Sequence, residues 1–496
     1  MNLRNCYILY FLIISFFAVN FLQWKNYVSP GFEIAIFLIV LVMGIACIYY
    51  YGQNDKDLHK VAFLIIILFG IVCIVLTPIN DVSDEFEHSV RSEIVSQGQI
   101  TADYVQIPNT TRFGYMTIKA MENLEDRHGE TFLNGSVNSK INHSTTYVES
   151  AFAQNPFYSY LPQALGILIA KMLDLSTMWI LWLGRFVNLI FYGTIIALAI
   201  RKAPVLKFPL FITSLLPLGI YQAASFSVDG MFSSLAILAF SYFLYMYKTQ
   251  DIEWKDLGIF YLCVILSGLL KTPFLALSLL IFLVPNSNFK NRTQNIASKL
   301  GVLFTLAVGV IWSSYATSVM NNSWRGHYSI VNNVNPQKQV NYLLSHPAFF
   351  LERIGNLFSE FSIMVERMFC FSNGDGKYQS NLLAYLYILF ITLFSMIYPL
   401  DAKFELKTKI KTFLIGLLIY SGVIGVLYLT WASVGEKTLI SGVYGRYFMP
   451  LMVLLPIILN IGKIDLDKEK IKLISLTLAI GFISGIIILC LGHDYI

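Results

Sequence analysis

Charge is what this sequence has least of. Asp, Glu, Lys and Arg make up 13% of its 496 residues, against roughly 25% in an average soluble domain. With 56% of its residues hydrophobic, such a chain cannot cover a water-facing surface, and a soluble globular fold is excluded. Cysteine is sparse as well. Cys6, Cys47, Cys73, Cys263, Cys370 and Cys490 stand singly, mostly inside apolar runs, without the paired spacing of a disulfide or zinc framework. A Walker-type glycine loop and a dinucleotide fingerprint are both missing, so nothing marks a soluble nucleotide site. Internal repeats and low-complexity tracts are not visible, and with them goes the inverted-repeat signature of many transporters. The first apolar run, Tyr7 to Leu22, follows a single Arg4. It has no small-residue cleavage site and is read as a retained helix.

What the sequence has in abundance is long apolar runs close to the ~20 residues that cross a bilayer. Helices are expected at 7–23, 31–51, 61–79, 178–200, 207–225, 229–248, 257–270, 273–285, 299–320, 380–400, 412–431, 446–462 and 473–492. The expected fold is an all-α polytopic membrane protein with about thirteen transmembrane helices. Lys and Arg concentrate in the connections near 56–60, 201–207, 290–299, 403–411 and 463–472, which puts those loops in the cytoplasm. The net charge of +5 is therefore a topology signal, and no nucleic-acid partner is implied. Counting Phe157 to Met172 as a further span would push every later basic loop outside. That stretch, with Pro162 inside it and Lys171 near its end, is expected to lie in the outer interface. The amino terminus then falls inside and the carboxyl terminus outside.

This scheme divides the chain into three helices over 1–79, an extracytoplasmic loop with its interfacial helix over 80–177, and central helices over 178–320. A second extracytoplasmic loop over 321–379 and the last helices over 380–496 follow. Loops this long favour function over linkage. Residues 80–155 hold eleven acidic residues and five Lys or Arg, and Leu343 to Phe371 is rich in aromatics suited to the membrane surface.

The densest chemistry lies in Asn80-Asp-Val-Ser-Asp84-Glu85-Phe-Glu-His88, immediately after the third helix. A helix capped by Ser83 would put Asp84 and His88 on one face at i and i+4. The group is then either a general base with a metal-ligating partner or a solvated acidic collar. Asn155-Pro156, Asp229, Lys271 and Arg446 fall on the same side of the membrane. Asp229 has a bland reading as a helix cap, and Lys271 as a snorkelling side chain. Arg446 opens an apolar segment between Tyr444 and Tyr447, where a guanidinium is costly without an anionic partner. Carboxylates that activate a hydroxyl and cations that hold a departing phosphate suit a lipid-linked phosphate. His128, His143, His327 and His346 lack matched partners and read as surface residues.

These residues also resemble a known family. Asp84-Glu85 with His88, Asn155-Pro156-Phe-Tyr158, Tyr221-Gln222-Ala-Ala-Ser225-Phe-Ser-Val-Asp229, Leu270-Lys271-Thr-Pro273 and Gly442-Val-Tyr444-Gly-Arg446-Tyr447-Phe-Met-Pro450 occur in the order seen in DUF2142 membrane proteins. Val82, Ser83 and Phe86 stand where that family tends to carry prolines, and Tyr444 where Gln is common. The family is similar to GT-C-type glycosyltransferases. The resemblance implies a first large external loop carrying the catalytic acid and juxtamembrane helices. It further implies sugar transfer from a polyprenyl-phosphate donor to a cell-envelope glycan acceptor. Asp84, Glu85 and His88 would be catalytic, and Asn155, Gln222, Asp229, Lys271, Tyr444, Arg446 and Tyr447 would bind substrate. A divalent cation, Mg or Mn, is the one cofactor to test. The alternative is a transporter or flippase of lipid-linked glycans, which charges deep inside the helices would favour; a non-catalytic scaffold is a third reading.

Overall fold

The computed structural model describes residues 2–22, 30–133, 139–152, 155–368, 380–438, 443–462 and 467–495. Cys370, Phe371, Gly442 and Lys463 lie outside them. Every expected apolar segment is helical where described. Among the described residues eight helices are long and apolar enough to cross a membrane: Leu3–Phe21, Gly31–Gln53, Leu58–Leu76, Thr177–Lys202, Asp229–Lys248, Arg292–Asn321, Leu406–Trp431 and Lys468–Asp494. The other five segments are shorter or broken. The stretch 207–225 splits into Lys207–Ser214 and Pro217–Ala223, because Pro217 cannot continue the preceding hydrogen-bond ladder. Trp254–Leu270 and Asn381–Ile397 have 17 residues each. Thr272–Leu283 and Gly445–Leu454 are 3-10 helices that carry Pro273 and Pro450.

Large apolar residues line the outside of the bundle. Ile8, Phe11, Leu12, Phe16 and Val19 are exposed on the first helix, as are Leu300, Leu303, Phe304, Val310 and Ile311 on Arg292–Asn321. Continuous apolar surface of this kind is what lipid covers. Basic connections gather at one end. There Lys202 pairs with Asp256 at 2.8 Å, Lys468 pairs with Asp401, and Phe208 stacks on Tyr398 with centroids 5.4 Å apart. The acidic motif follows Leu58–Leu76 at the other end.

The first large loop departs from the all-helical expectation. Tyr104–Gln106 (β1), Phe113–Ile118 (β2) and Thr145–Val148 (β3) form a three-stranded antiparallel sheet in the order β1-β2-β3. Fully buried Glu93 ties this sheet to the membrane part. Its carboxylate takes Thr117 Oγ1 of β2 at 2.8 Å, Gln97 Nε2 at 2.7 Å and Lys171 Nζ at 2.5 Å.

Lys171 belongs to the helix Leu161–Met172, which is the segment expected at the interface. Twelve residues rise about 18 Å, too little to cross a bilayer. Leu161, Leu165, Leu168 and Met172 form one exposed apolar face, while Gln163, Gly166, Ile167 and Ala170 are buried on the other. Gly166 lets this helix meet the backbone of Thr177–Lys202, since a Cβ there would lie 2.3 Å from the Leu183 carbonyl oxygen. The second loop folds into short helices at Trp324–Val331, Pro336–Ser345, Pro347–Ser359 and Phe361–Arg367. Ile330, Leu344, Leu351, Phe358 and Phe361 stay exposed on them, as a membrane-surface layer requires.

Candidate functional site

The acidic motif forms the helix Glu85–Ser96, one residue later than a Ser83 cap would place it. Asp84 occupies the capping position, but its side chain makes no cap bond there, and its backbone sits in the left-handed region at φ 61°, ψ 19°. Asp tolerates this region better than most residues, at a cost on the order of 1 kcal/mol. The turn directs the Asp84 carboxylate to Arg446 Nη2.

Arg446 is 4% exposed and sits between two acids. Its Nε lies 2.9 Å from Asp229 Oδ2, and Asp229 Oδ1 lies 3.2 Å from Lys271 Nζ. Asp84, Arg446, Asp229 and Lys271 therefore alternate in sign along a chain of contacts drawn from four distant segments. The Lys271 ammonium is 3.8 Å above the Tyr447 ring, and the Arg446 guanidinium lies 4.7 Å from the Tyr444 ring. Burial draws the Lys271 pKa down, with Asp229 pulling the other way. Arg446 Nη1 is buried with no hydrogen-bond partner among the described residues. Gly445 brings this segment against the second loop, because a Cβ on it would lie 2.2 Å from the Met368 amide nitrogen.

The cluster borders a cavity of about 310 Å³, at the small end of ligand cavities, roughly 300–1,000 Å³. Asp84, His88, Asn155, Asp229, Lys271 and Arg446 contribute its polar lining, and Leu270, Val423, Val426, Leu427 and Trp431 its apolar lining. Tyr444 and Tyr447 also line it. His88 Nδ1 is 2.9 Å from the Tyr160 hydroxyl, which also accepts from Asn155 Nδ2 at 2.9 Å. Burial pushes the His88 imidazole down to about 4, against the pull of Asp84 and Asp229. Burial likewise raises the Glu87 carboxyl to about 6, although the Ala151 amide donates to it at 2.7 Å.

Two expected site residues lie elsewhere. Glu85 is fully buried and clamped by Arg185, with Nε to Oε1 at 2.8 Å and Nη2 to Oε2 at 2.7 Å. The Phe226 amide donates to the same carboxylate at 3.1 Å. Glu85 thus fixes the bend that leads to Asp229 and does not face the cavity. Gln222 is buried behind that bend, where its carbonyl accepts from Ser225 Oγ. Arg185 was not among the residues expected from sequence. Its signal was present: one arginine inside the apolar run Thr177–Lys202, where an unpaired charge is too costly to persist. Asp229 and Asp256 are buried too, but in the first turns of their helices. Tyr160 and Phe152, which hold the His88 ring, carry no sequence signal. His128, His143, His327 and His346 are exposed and away from the cavity.

Among the described residues no three His, Cys, Asp or Glu side chains converge to hold a metal. Both acids of the cavity already face cations, so this donor set does not fit a divalent cation.

Fold and site define a helical membrane protein with a charge-lined cavity at the end of its bundle that carries the acidic motif. The model of the DUF2142 family, described as a predicted membrane protein, matches residues 65–455. The chain belongs to that family. Comparison with curated proteins and with solved structures gives no match.

Proposed function

We propose that this protein is a GT-C-like glycosyltransferase of the cell membrane that moves a sugar from a polyprenyl phosphate to an extracytoplasmic envelope glycan. The observation that carries the reading is the direct pairing of Asp84 with Arg446 beside Asp229 and Lys271, in a cavity lined by both charged and apolar side chains. The prenyl chain enters from the lipid past Leu427 and Val423, and the phosphate meets Arg446 Nη1 and Lys271 Nζ. Competition by the phosphate for Arg446 releases the Asp84 carboxylate. Asp84 then takes the proton of the acceptor hydroxyl as that oxygen attacks the anomeric carbon. The bond from carbon to phosphate oxygen breaks, and the phosphate leaves with the electron pair, neutralised by Arg446 and Lys271. A single displacement inverts the anomeric centre, and no metal takes part. The basic end of the bundle faces the cytoplasm and the cavity faces outward, with about thirteen segments acting as spans or re-entrant helices.

A flippase using the same charges is the competing reading. Transfer assays with purified protein in lipid nanodiscs and candidate polyprenyl-phosphate sugars separate the two. A new glycosidic bond that Asp84→Asn abolishes supports the transferase; movement of the intact lipid without bond formation overturns it.

A further inference from the structure

Hydrogen bonding at Tyr160 fixes what His88 can do. The Tyr160 hydroxyl is fully buried and has two polar neighbours, Asn155 Nδ2 and His88 Nδ1, each at 2.9 Å. The Asn155 amide nitrogen can only donate, so the phenolic oxygen accepts there. Among the described residues the single hydroxyl hydrogen then has one acceptor in reach, His88 Nδ1. The opposite arrangement, with hydrogen on Nδ1, would aim two donors at one oxygen and bury a hydroxyl hydrogen without an acceptor. The neutral ring therefore carries its hydrogen on Nε2.

The surroundings hold this state. Phe152 stacks on the ring at 4.7 Å and 11°. The Asn155 backbone carbonyl accepts from buried Arg91, whose Nη2 also donates to the Ile100 carbonyl at 2.6 Å. Nε2 has no protein partner among the described residues, and the ring lines the same cavity as Lys271 and Arg446.

We infer that Tyr160 is a positioning residue locking His88 as a neutral Nε2–H donor, and that this donor binds a phosphate oxygen of the substrate alongside Arg446 and Lys271. This rests on the lipid-phosphate reading of the cavity for its ligand but not for its tautomer. It removes His88 from the roles of general base and metal ligand, since a nitrogen that bears hydrogen has no lone pair to offer.

Ligand-free protein labelled with ¹⁵N-histidine, held in nanodiscs at neutral pH, tests the tautomer by NMR, with the His88 signal assigned by its loss in His88→Gln. The expected spectrum has a protonated Nε2 and a bare Nδ1. Tyr160→Phe releases the lock and lets both tautomers appear. Asn155→Asp offers only acceptors and reverses the assignment. A wild-type ring protonated at Nδ1 overturns the inference. Binding of polyprenyl phosphate tests the role. His88→Gln, whose amide nitrogen sits where Nε2 was, keeps affinity within about threefold, whereas His88→Asn loses about tenfold, the size of one hydrogen bond. Equal losses overturn the donor role. If wild-type protein binds no polyprenyl phosphate, the lipid-phosphate reading falls, and the ligand-free spectrum still decides the tautomer.

Discussion

Two neighbouring carboxylates, Asp84 and Glu85, each meet an arginine, and the two pairs have opposite characters. Glu85 and Arg185 are both fully buried, joined by two bonds, and the remaining guanidinium hydrogens go to the carbonyls of Ile74, Thr77 and Pro78. Every donor has a partner, which makes this a closed structural joint between the acidic helix and the Thr177–Lys202 span. Asp84 keeps 31% of its side chain exposed, and Arg446 shares itself between two acids with Nη1 left over. The open pair can exchange partners with a ligand; the sealed one cannot do so without breaking the fold. Adjacent residues of one type therefore acquire different roles through what surrounds them.

Four experiments break or sharpen this contrast. Arg185→Ala strands the Glu85 carboxylate in the core and should cost about 3–5 kcal/mol, seen as loss of monodisperse protein in detergent. A stable Arg185→Ala protein would remove the distinction between the pairs. Asp84→Asn should leave thermal stability nearly unchanged while lowering sugar transfer by about 10²–10⁴-fold; a matching loss of stability would make Asp84 structural as well.

Acid should act on the ring at the cavity wall. The His88 pKa is depressed to about 4 from 6.5, so the stability it contributes is complete above 6.5 and is lost as pH falls toward 4, about 3 kcal/mol in all. Glu87, raised to about 6 from 4.5, acts in reverse. Its contribution is complete below 4.5 and lost as pH rises through 6, about 2 kcal/mol. The two partly cancel, so thermal unfolding followed from pH 7 to 4 should show a net acid loss of about 1 kcal/mol, and His88→Gln should reverse it, leaving stability that rises as pH falls through 6 toward 4.5. The smallest effect belongs to Gly166→Ala, which forces the interfacial helix off the backbone at Leu183, two residues before Arg185. About 1–3 kcal/mol of destabilisation is expected, measured in the same unfolding assay, with transfer changed less than by Asp84→Asn.

Much of the architecture was legible because a bilayer imposes a length and a composition on every span. An interfacial place for 157–172 was expected from loop charge, length and Pro162, and the helix Leu161–Met172 is too short to cross a bilayer and exposes one leucine face. The prolines mark the breaks at Pro217 and near Pro450, but their apolar neighbours read as continuous spans. The small sheet stayed hidden because strands of three to six residues leave little period-2 pattern to read.

For the site, residue types and spacing singled out Asp84, Asp229, Lys271 and Arg446, since a charge beside lipid stands out in a chain that has so few. Spacing along one segment could not tell which acid faces the cavity. Asp84 and Glu85 are consecutive, and their fates separate through a left-handed turn and an arginine one hundred residues away from Glu85. The sequence by itself determined that the chain lives in a membrane and which side chains are costly there. Tertiary structure alone decided which of those charges are sealed in the core and which line the cavity, because pairing depends on distance in space, and residues 84, 229, 271 and 446 become neighbours only when the helices pack.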